Sequence, residues 1–271
     1  MYTSGAPGPV LCAVDHSPHA RAVAYNAAGM AMQFGRDVVL LRSDPRVNGS
    51  DVDQMRAQGD LEKLALTSIA EPTGRAVKVR TTVVHDAPAD GIRRHVAAAE
   101  PLMVLMGSRG RRGLRRSLFG STALSLMQHA AVPLVVVPPS DPEVFTVMPD
   151  GVRCHMGSVL VPVDFSDAMD SQLQFAGAFL AAETCPVTLL HVAKKGEQAR
   201  RTDELHQVKE RMTAGGRVTP LVVEGEVHPV LRDLLQGDDF GMVILGRDRH
   251  RAGTVASDLL HLSTALVAVA S

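Results

Sequence analysis

The residues best equipped for chemistry lie in one stretch, from Met106-Gly107-Ser108-Arg109-Gly110 through Arg111, Arg112, Arg115 and Arg116 to Gly120-Ser121-Thr122. Its glycines are spaced as Gly107, two residues, Gly110, nine residues, then Gly120-Ser121. Glycine lets backbone amides come close to a ligand, and the unpaired amides of a first helical turn point at an anion. Gly107, Gly110 and Gly120 supply the approach, Ser121 a hydroxyl, and Arg109, Arg111 and Arg112 positive charge. Phosphate is the ligand class that such a stretch receives. No Gly-Lys-Ser/Thr closes it as in a Walker loop, and Gly-x-Gly-x-x-Gly is absent. Taken without its surroundings, it also reads as a glycine-rich surface turn.

Those surroundings are a strand before and a helix after. The apolar run Leu102 to Met106 reads as a buried strand, and a helix is expected from about 121 to 130, with Ser121 near its cap. Upstream, Val10 to Asp15, Val38 to Leu41 and Val77 to Val84 read as strands, alternating with helical stretches over 17–34, 51–70 and 88–99. Pro133 to Val137 reads as a fifth strand. Such alternation implies right-handed crossovers and a parallel sheet with helices on both faces. In that architecture ligands bind beyond the carboxyl ends of the strands, where the strand order reverses. With the order 3-2-1-4-5, Asp15 at the end of the first strand and Gly107 at the end of the fourth face one crevice. An acid there accepts from a ribose hydroxyl or an adenine amine; the alternative is that Asp15 caps the following helix.

From Ser158 the pattern restarts. Val159 to Ser166 repeats Val10 to Ser17, and Val187 to Leu190 repeats Val38 to Leu41, both at an offset of 149. Met242 to Gly246 matches Met103 to Gly107 at an offset of 139, and Leu266 to Val269 closes the copy. Two similar units explain the length of 271 residues better than one large domain. The copies do not share the glycine stretch: if Gly253-Thr254 is matched to Gly120-Ser121, the second loop is about six residues shorter, and Arg249 stands where Gly110 stood. The second half is expected to keep the fold and lack the phosphate cradle.

Bulk properties narrow the function classes. A net charge of −1 gives no global attraction to nucleic acid or anionic membrane, and two Tyr, seven Phe and no Trp offer few stacking platforms. No apolar stretch reaches membrane-spanning length, and the amino terminus lacks the pattern of a signal peptide, so a cytoplasmic protein is expected. Cys12, Cys154 and Cys185 are odd in number and form no C-x-x-C pair, which fits a reducing compartment; Cys12 and Cys185 read as small core residues. His16-Ser17-Pro18-His19 invites comparison with the His-x-Gly-His of nucleotidyl-transferring enzymes, but Pro18 replaces the glycine. His85-Asp86 sits at a strand end, and His191 and His206 have no metal-ligand spacing. There is no Gly-x-Ser-x-Gly and no other positive sign of catalysis.

The glycine stretch resembles the nucleotide loop of the universal stress protein family at every defined position. Both halves look like domains of that family: the first through Asp15 with Ser17 and Gly107/Gly110/Gly120-Ser121, the second through Asp164-Phe165-Ser166, Leu189-Leu190-His191-Val192 and Gly246. The resemblance implies two tandem doubly wound α/β domains, adenine nucleotide alpha hydrolase-like, each a five-stranded parallel sheet of order 3-2-1-4-5 with helices on both faces. Residues 1–138 would form a domain with an intact nucleotide loop, 139–157 a linker and 158–271 a degenerate domain without the loop. ATP is the implied ligand of the first domain, with Mg²⁺ where the nucleotide brings it. Ala13, Val14 and Asp15 would lie against adenine and ribose, with Ser43 near the base. Met106, Gly107, Ser108, Arg109 and Gly110 would line the ribose and first phosphates, and Gly120, Ser121 and Thr122 the outer ones. One departure stands out: the chain reads Leu41-Arg42-Ser43 where the family usually has Leu-His-Val. The implied role is a nucleotide-dependent regulator in stress response. The alternatives are an interaction protein that binds no nucleotide, or a slow ATPase or self-phosphorylating protein using Ser121. The two domains would pair through Leu134 to Val137 and Leu266 to Val269, as a homodimer of single domains does, and a homodimer of the whole chain is a further implied partner.

Overall fold

The structure, a computed structural model, describes residues 8–45, 51–108, 120–129, 131–166, 169–182, 185–212, 217–237, 239–247 and 265–270. Its first half runs β1 (Val10–Ala13), α1 (Ala20–Phe34), β2 (Val38–Ser43), α2 (Asp51–Ala65), β3 (Val79–Val84), α3 (Pro88–Ala99), β4 (Met103–Gly107), α4 (Ser121–His129) and β5 (Leu134–Val137). A π-helical turn, Leu66–Ala70, extends α2. Next come β6 (Phe145–Met148) and β7 (Gly151–Cys154). The second half runs β8 (Ser158–Pro162), α5 (Met169–Ala181), β9 (Val187–Ala193), α6 (Gln198–Arg211), β10 (Val218–Glu224), α7 (Val227–Leu235), β11 (Phe240–Leu245) and β12 (Leu266–Val269).

Ten strands form one sheet in the order β10-β9-β8-β11-β12-β5-β4-β1-β2-β3. Within each half every pair is parallel and the order is 3-2-1-4-5, so the expected doubly wound α/β architecture is present twice. The two sets meet at β5 and β12, which run antiparallel with Val136 opposite Val267 and Val135 opposite Ala268. The central strands read as continuous apolar runs because both faces are covered. Alternate residues serve two cores. Val10, Cys12, Leu40 and Met103 pack with α1, α2, α5 and α6, while Leu11, Ala13, Leu41 and Val104 pack with α3, α4 and α7. Alanines at 24, 27, 28 and 31 let α1 lie close on the sheet, and Gly35 ends it in the left-handed conformation that a side chain disfavours.

The segment expected as a plain linker contains an antiparallel hairpin, β6–β7, with Phe145 opposite Cys154. Its turn is Pro149-Asp150 followed by Gly151, a recognisable hairpin signal between two short apolar runs. The segment is strapped along α1. Asn26 Nδ2 donates to the Pro142 carbonyl at 3.0 Å, and the Val147 amide donates to the Tyr25 hydroxyl at 3.1 Å. Phe145 lies so close to Gly29 that a Cβ there would stand 2.4 Å from its ring. At the other end of the hairpin, Met156 packs against Gly241 beside the start of β11.

Gly29→Ala is therefore expected to cost about 1–3 kcal/mol through overpacking, outweighing the gain in helix propensity. The urea midpoint should fall in the single variant. Added to Phe145→Ala, the same change should cost almost nothing, because the ring it strikes is gone.

Candidate functional site

The crevice lies where the strand order reverses. β1 pairs with β2 on one side and β4 on the other, with Ala13 opposite both Leu41 and Met106. Val14 follows, its amide bonded to the Leu41 carbonyl at 2.9 Å. Asp15 then leaves the sheet half-buried, and its Oδ1 accepts the Ser17 amide at 2.9 Å. Asp164 does the same in the second half, accepting from the Ser166 amide at 3.0 Å and its hydroxyl at 2.6 Å. An Asx turn leading into the next helix is thus one function of this acid in both copies.

A positive charge supports that turn from below. Arg42 of β2 is only 4% exposed, with Nη2 reaching the Asp15 carbonyl and Nη1 the Ala57 carbonyl, each at 3.4 Å. Burial pulls its guanidinium below the ordinary arginine value, while the carboxylates of Asp60, Asp15 and Asp44 push it back up. A charged residue directly after the apolar run Val38 to Leu41, still within the strand, was the sequence signal for this. Ser43, one residue on, is engaged structurally: its hydroxyl donates to the Asp86 carbonyl at 2.8 Å. Gly91 of α3 closes over it, since a Cβ there would stand 2.7 Å from the Ser43 Oγ.

The two histidines after β1 diverge. His16 Nε2 meets Asp44 Oδ2 at 3.1 Å; His19 contacts Asp141 through Nδ1 and the Val137 carbonyl through Nε2 at 3.1 Å. His19 also covers Gly107, where a Cβ would come within 2.5 Å of its ring. The glycine at the end of β4 is therefore required by a neighbouring side chain, whatever else approaches it. Asp44 and Asp141, the partners of these two histidines, escaped the sequence reading because they lie 28 and 122 residues away from them.

Beyond Gly107 the backbone closes on itself. Ser108 is fully buried; its amide donates to the Val137 carbonyl at 3.0 Å, and its carbonyl accepts the Gly120 amide at 2.9 Å. Residues 109–119, which include Arg109, Gly110, Arg111, Arg112, Arg115 and Arg116, lie outside the described residues, yet the residues that flank them, Ser108 and Gly120, are bonded to each other. Among the described residues the Ser108 Oγ has no hydrogen-bond partner. In α4 the Leu124 amide bonds the Gly120 carbonyl at 3.2 Å, so the amides of Ser121, Thr122 and Ala123 precede the first helical bond. Ser121 is exposed and Thr122 half-buried. The structure thus gathers Ala13, Val14, Asp15, Met106, Gly107, Ser108 and Gly120 around one strand junction, with Ser121 and Thr122 opening the helix beside it. Ser43 stands one strand further out. A buried hydroxyl without a partner among the described residues, an acid and the first-turn amides of a helix suit an anionic ligand with a polar ring substituent. Among the described residues, no group of three or more His, Cys, Asp or Glu could hold a metal ion.

The matching crevice of the second half is built differently. Position 191, equivalent to Arg42, is a histidine whose Nδ1 meets the Val163 carbonyl at 2.7 Å. Phe165, in the left-handed region at φ 60°, lies against it with ring centres 4.7 Å apart, and the Arg201 guanidinium stands 5.3 Å from the Phe165 centre. Gly246 and Arg247 are described, whereas Arg249, Gly253 and Thr254 lie outside the described residues.

Residues 8–138 match the family model described as the universal stress protein family. None of the curated proteins matches the chain in sequence. Among solved structures, a universal stress protein from Archaeoglobus fulgidus is similar with a TM-score of 0.69 at 17% identity, over 97% of this chain and 98% of that one. A putative universal stress protein from Pseudomonas aeruginosa follows with 0.65 at 14% identity, over 98% and 93%. The cytoplasmic domain of a prokaryotic cation chloride cotransporter gives 0.56 at 11% identity, over 97% and 95%. These likenesses concern the fold.

If the Asx turn is the structural part played by Asp15, Asp15→Ala should cost about 1 kcal/mol. Asp15→Asn keeps the acceptor and should cost less. Chemical denaturation of the two variants side by side checks this.

Proposed function

The chain belongs to the universal stress protein family, and from that premise we propose that its first half binds ATP and that the protein acts as a cytoplasmic, nucleotide-dependent regulator in stress response rather than as a robust enzyme. The observation that carries this reading is the junction where Ala13, Val14 and Asp15 meet Met106, Gly107 and Ser108 beside the first turn of α4. Ala13, Val14 and Asp15 would lie against adenine and ribose with Ser43 near the base, and the first-turn amides of α4 with Ser121 and Thr122 would take the phosphates. Arg109 and Gly110 belong to the same proposed set. Bound nucleotide supplies a polyphosphate charge that the protein can hold or release; the chain's part is to orient it and to neutralise it with amides. Charge-assisted hydrogen bonds contribute about 1.5–3 kcal/mol each, so a handful reaches the roughly 8 kcal/mol of micromolar binding.

The same reading divides the chain into a nucleotide domain over 1–138, a linker over 139–157 and a degenerate domain over 158–271. The β5–β12 pair would do within one chain what a dimer interface does between single domains. Phe165 packed at a tilt against His191 supports a second crevice that does not take the nucleotide, because a ring of the chain itself already lies against that strand end.

Calorimetry should find one ATP per chain, and mass spectrometry of freshly purified protein should detect the released nucleotide. Gly120→Val should abolish binding by placing branched bulk at the helix entrance. Two nucleotides per chain, or unchanged affinity in Gly120→Val, would overturn the assignment.

A further inference from the structure

Cys154 and Cys185 are 31 residues apart in the chain, yet their sulfurs lie 2.9 Å from each other. Cys154 is the last residue of β7 and half-buried; Cys185 is buried just ahead of β9. Closing from that separation to a disulfide of about 2.05 Å takes a movement of roughly 0.9 Å, within the reach of small side-chain rotations. The third cysteine, Cys12, is fully buried in β1, and burial pushes its thiol far above the ordinary range. The pair lies at the amino-terminal ends of the strands, on the opposite side of the sheet from the crevice. It also joins the hairpin strapped along α1 to the chain entering β9.

We propose that Cys154 and Cys185 form an oxidisable dithiol that latches the β6–β7 hairpin to the β9 end of the sheet, with a hydroperoxide as the oxidant. Cys154 is the attacking sulfur because it is the accessible one. The hydrogen bond with Cys185, opposed by burial and aided by the Met156 backbone, holds its thiol below the ordinary cysteine range and so favours thiolate. The Cys154 thiolate attacks the peroxide oxygen, the O–O bond breaks, and hydroxide leaves, giving a sulfenic acid. The Cys185 sulfur then attacks the Cys154 sulfur; its proton and the sulfenic hydroxyl leave as water, and the S–S bond forms. Two electrons pass from the two sulfurs to the peroxide. A dithiol reductant reverses the step.

The test uses the full chain treated with a small excess of hydrogen peroxide, blocked with N-ethylmaleimide under denaturing conditions and mapped by mass spectrometry. The expected result is a peptide joined through Cys154 and Cys185, with the titratable thiols falling from three to one and recovering in dithiothreitol. Amide exchange in β6 and β7 should slow in the oxidised chain. Cys154→Ser, a change at a half-buried position, should keep its remaining two thiols under the same treatment and show no slowing. Three thiols surviving, a sulfinic acid on Cys154 without a crosslink, or crosslinks between chains would each refute the latch.

Discussion

Everything in the first crevice hangs on β1 being hydrogen-bonded to β2 on one side and to β4 on the other. Val10 is opposite both Val38 and Met103, so the chain that leaves β1 and the chain that leaves β4 must part to opposite faces of the sheet. The gap between them cannot be filled by a crossover helix. It is filled instead by what the strand ends carry: an acid in an Asx turn, a glycine under a histidine, and a buried serine. Arg42 shows how tightly this is held, because a guanidinium inside an apolar sheet is tolerated only where several carboxylates and carbonyls answer it.

The elements themselves were readable with little error, and for a plain reason. Runs such as Val38 to Leu41 and Leu134 to Val137 are apolar on both faces, which in an alternating chain means buried parallel strands. The duplication doubled that signal. Side-chain engagement was less legible. Asp15 and Asp164 could be recognised as strand-end acids, but their shared use in a backbone turn depends on geometry that spacing does not encode. Ser43, read as a neighbour of a base, has its hydroxyl committed to the Asp86 carbonyl across to the next strand's end. The hairpin hid inside a stretch rich in Pro and Gly, where Phe145 and Val147 gave the only hint of a buried face. The contact of His19 with Asp141 joins residues 122 positions apart, and nothing local announces it.

The two copies show what duplication frees. The turn after the first strand survives in both, because the fold needs the chain to enter α1 and α5 there. The residue beneath that turn differs between them, a buried arginine in the first and a histidine packed against Phe165 in the second, where the backbone has accepted a left-handed non-glycine residue to seat that ring. In both copies the chain's own side chains fill the strand end, as a close-packed interior requires.

The antiparallel contact of β5 with β12 has a consequence of its own. Both strands are buried throughout, so each covers an edge that would otherwise invite other sheets. Because a single polypeptide carries both, their encounter is intramolecular, with an effective concentration on the order of millimolar for a short tether. Dilution therefore does not by itself separate β5 from β12. A two-chain assembly of the same shape would titrate apart and exchange its members; this one behaves as a fixed heterogeneous pair, free to let its members specialise.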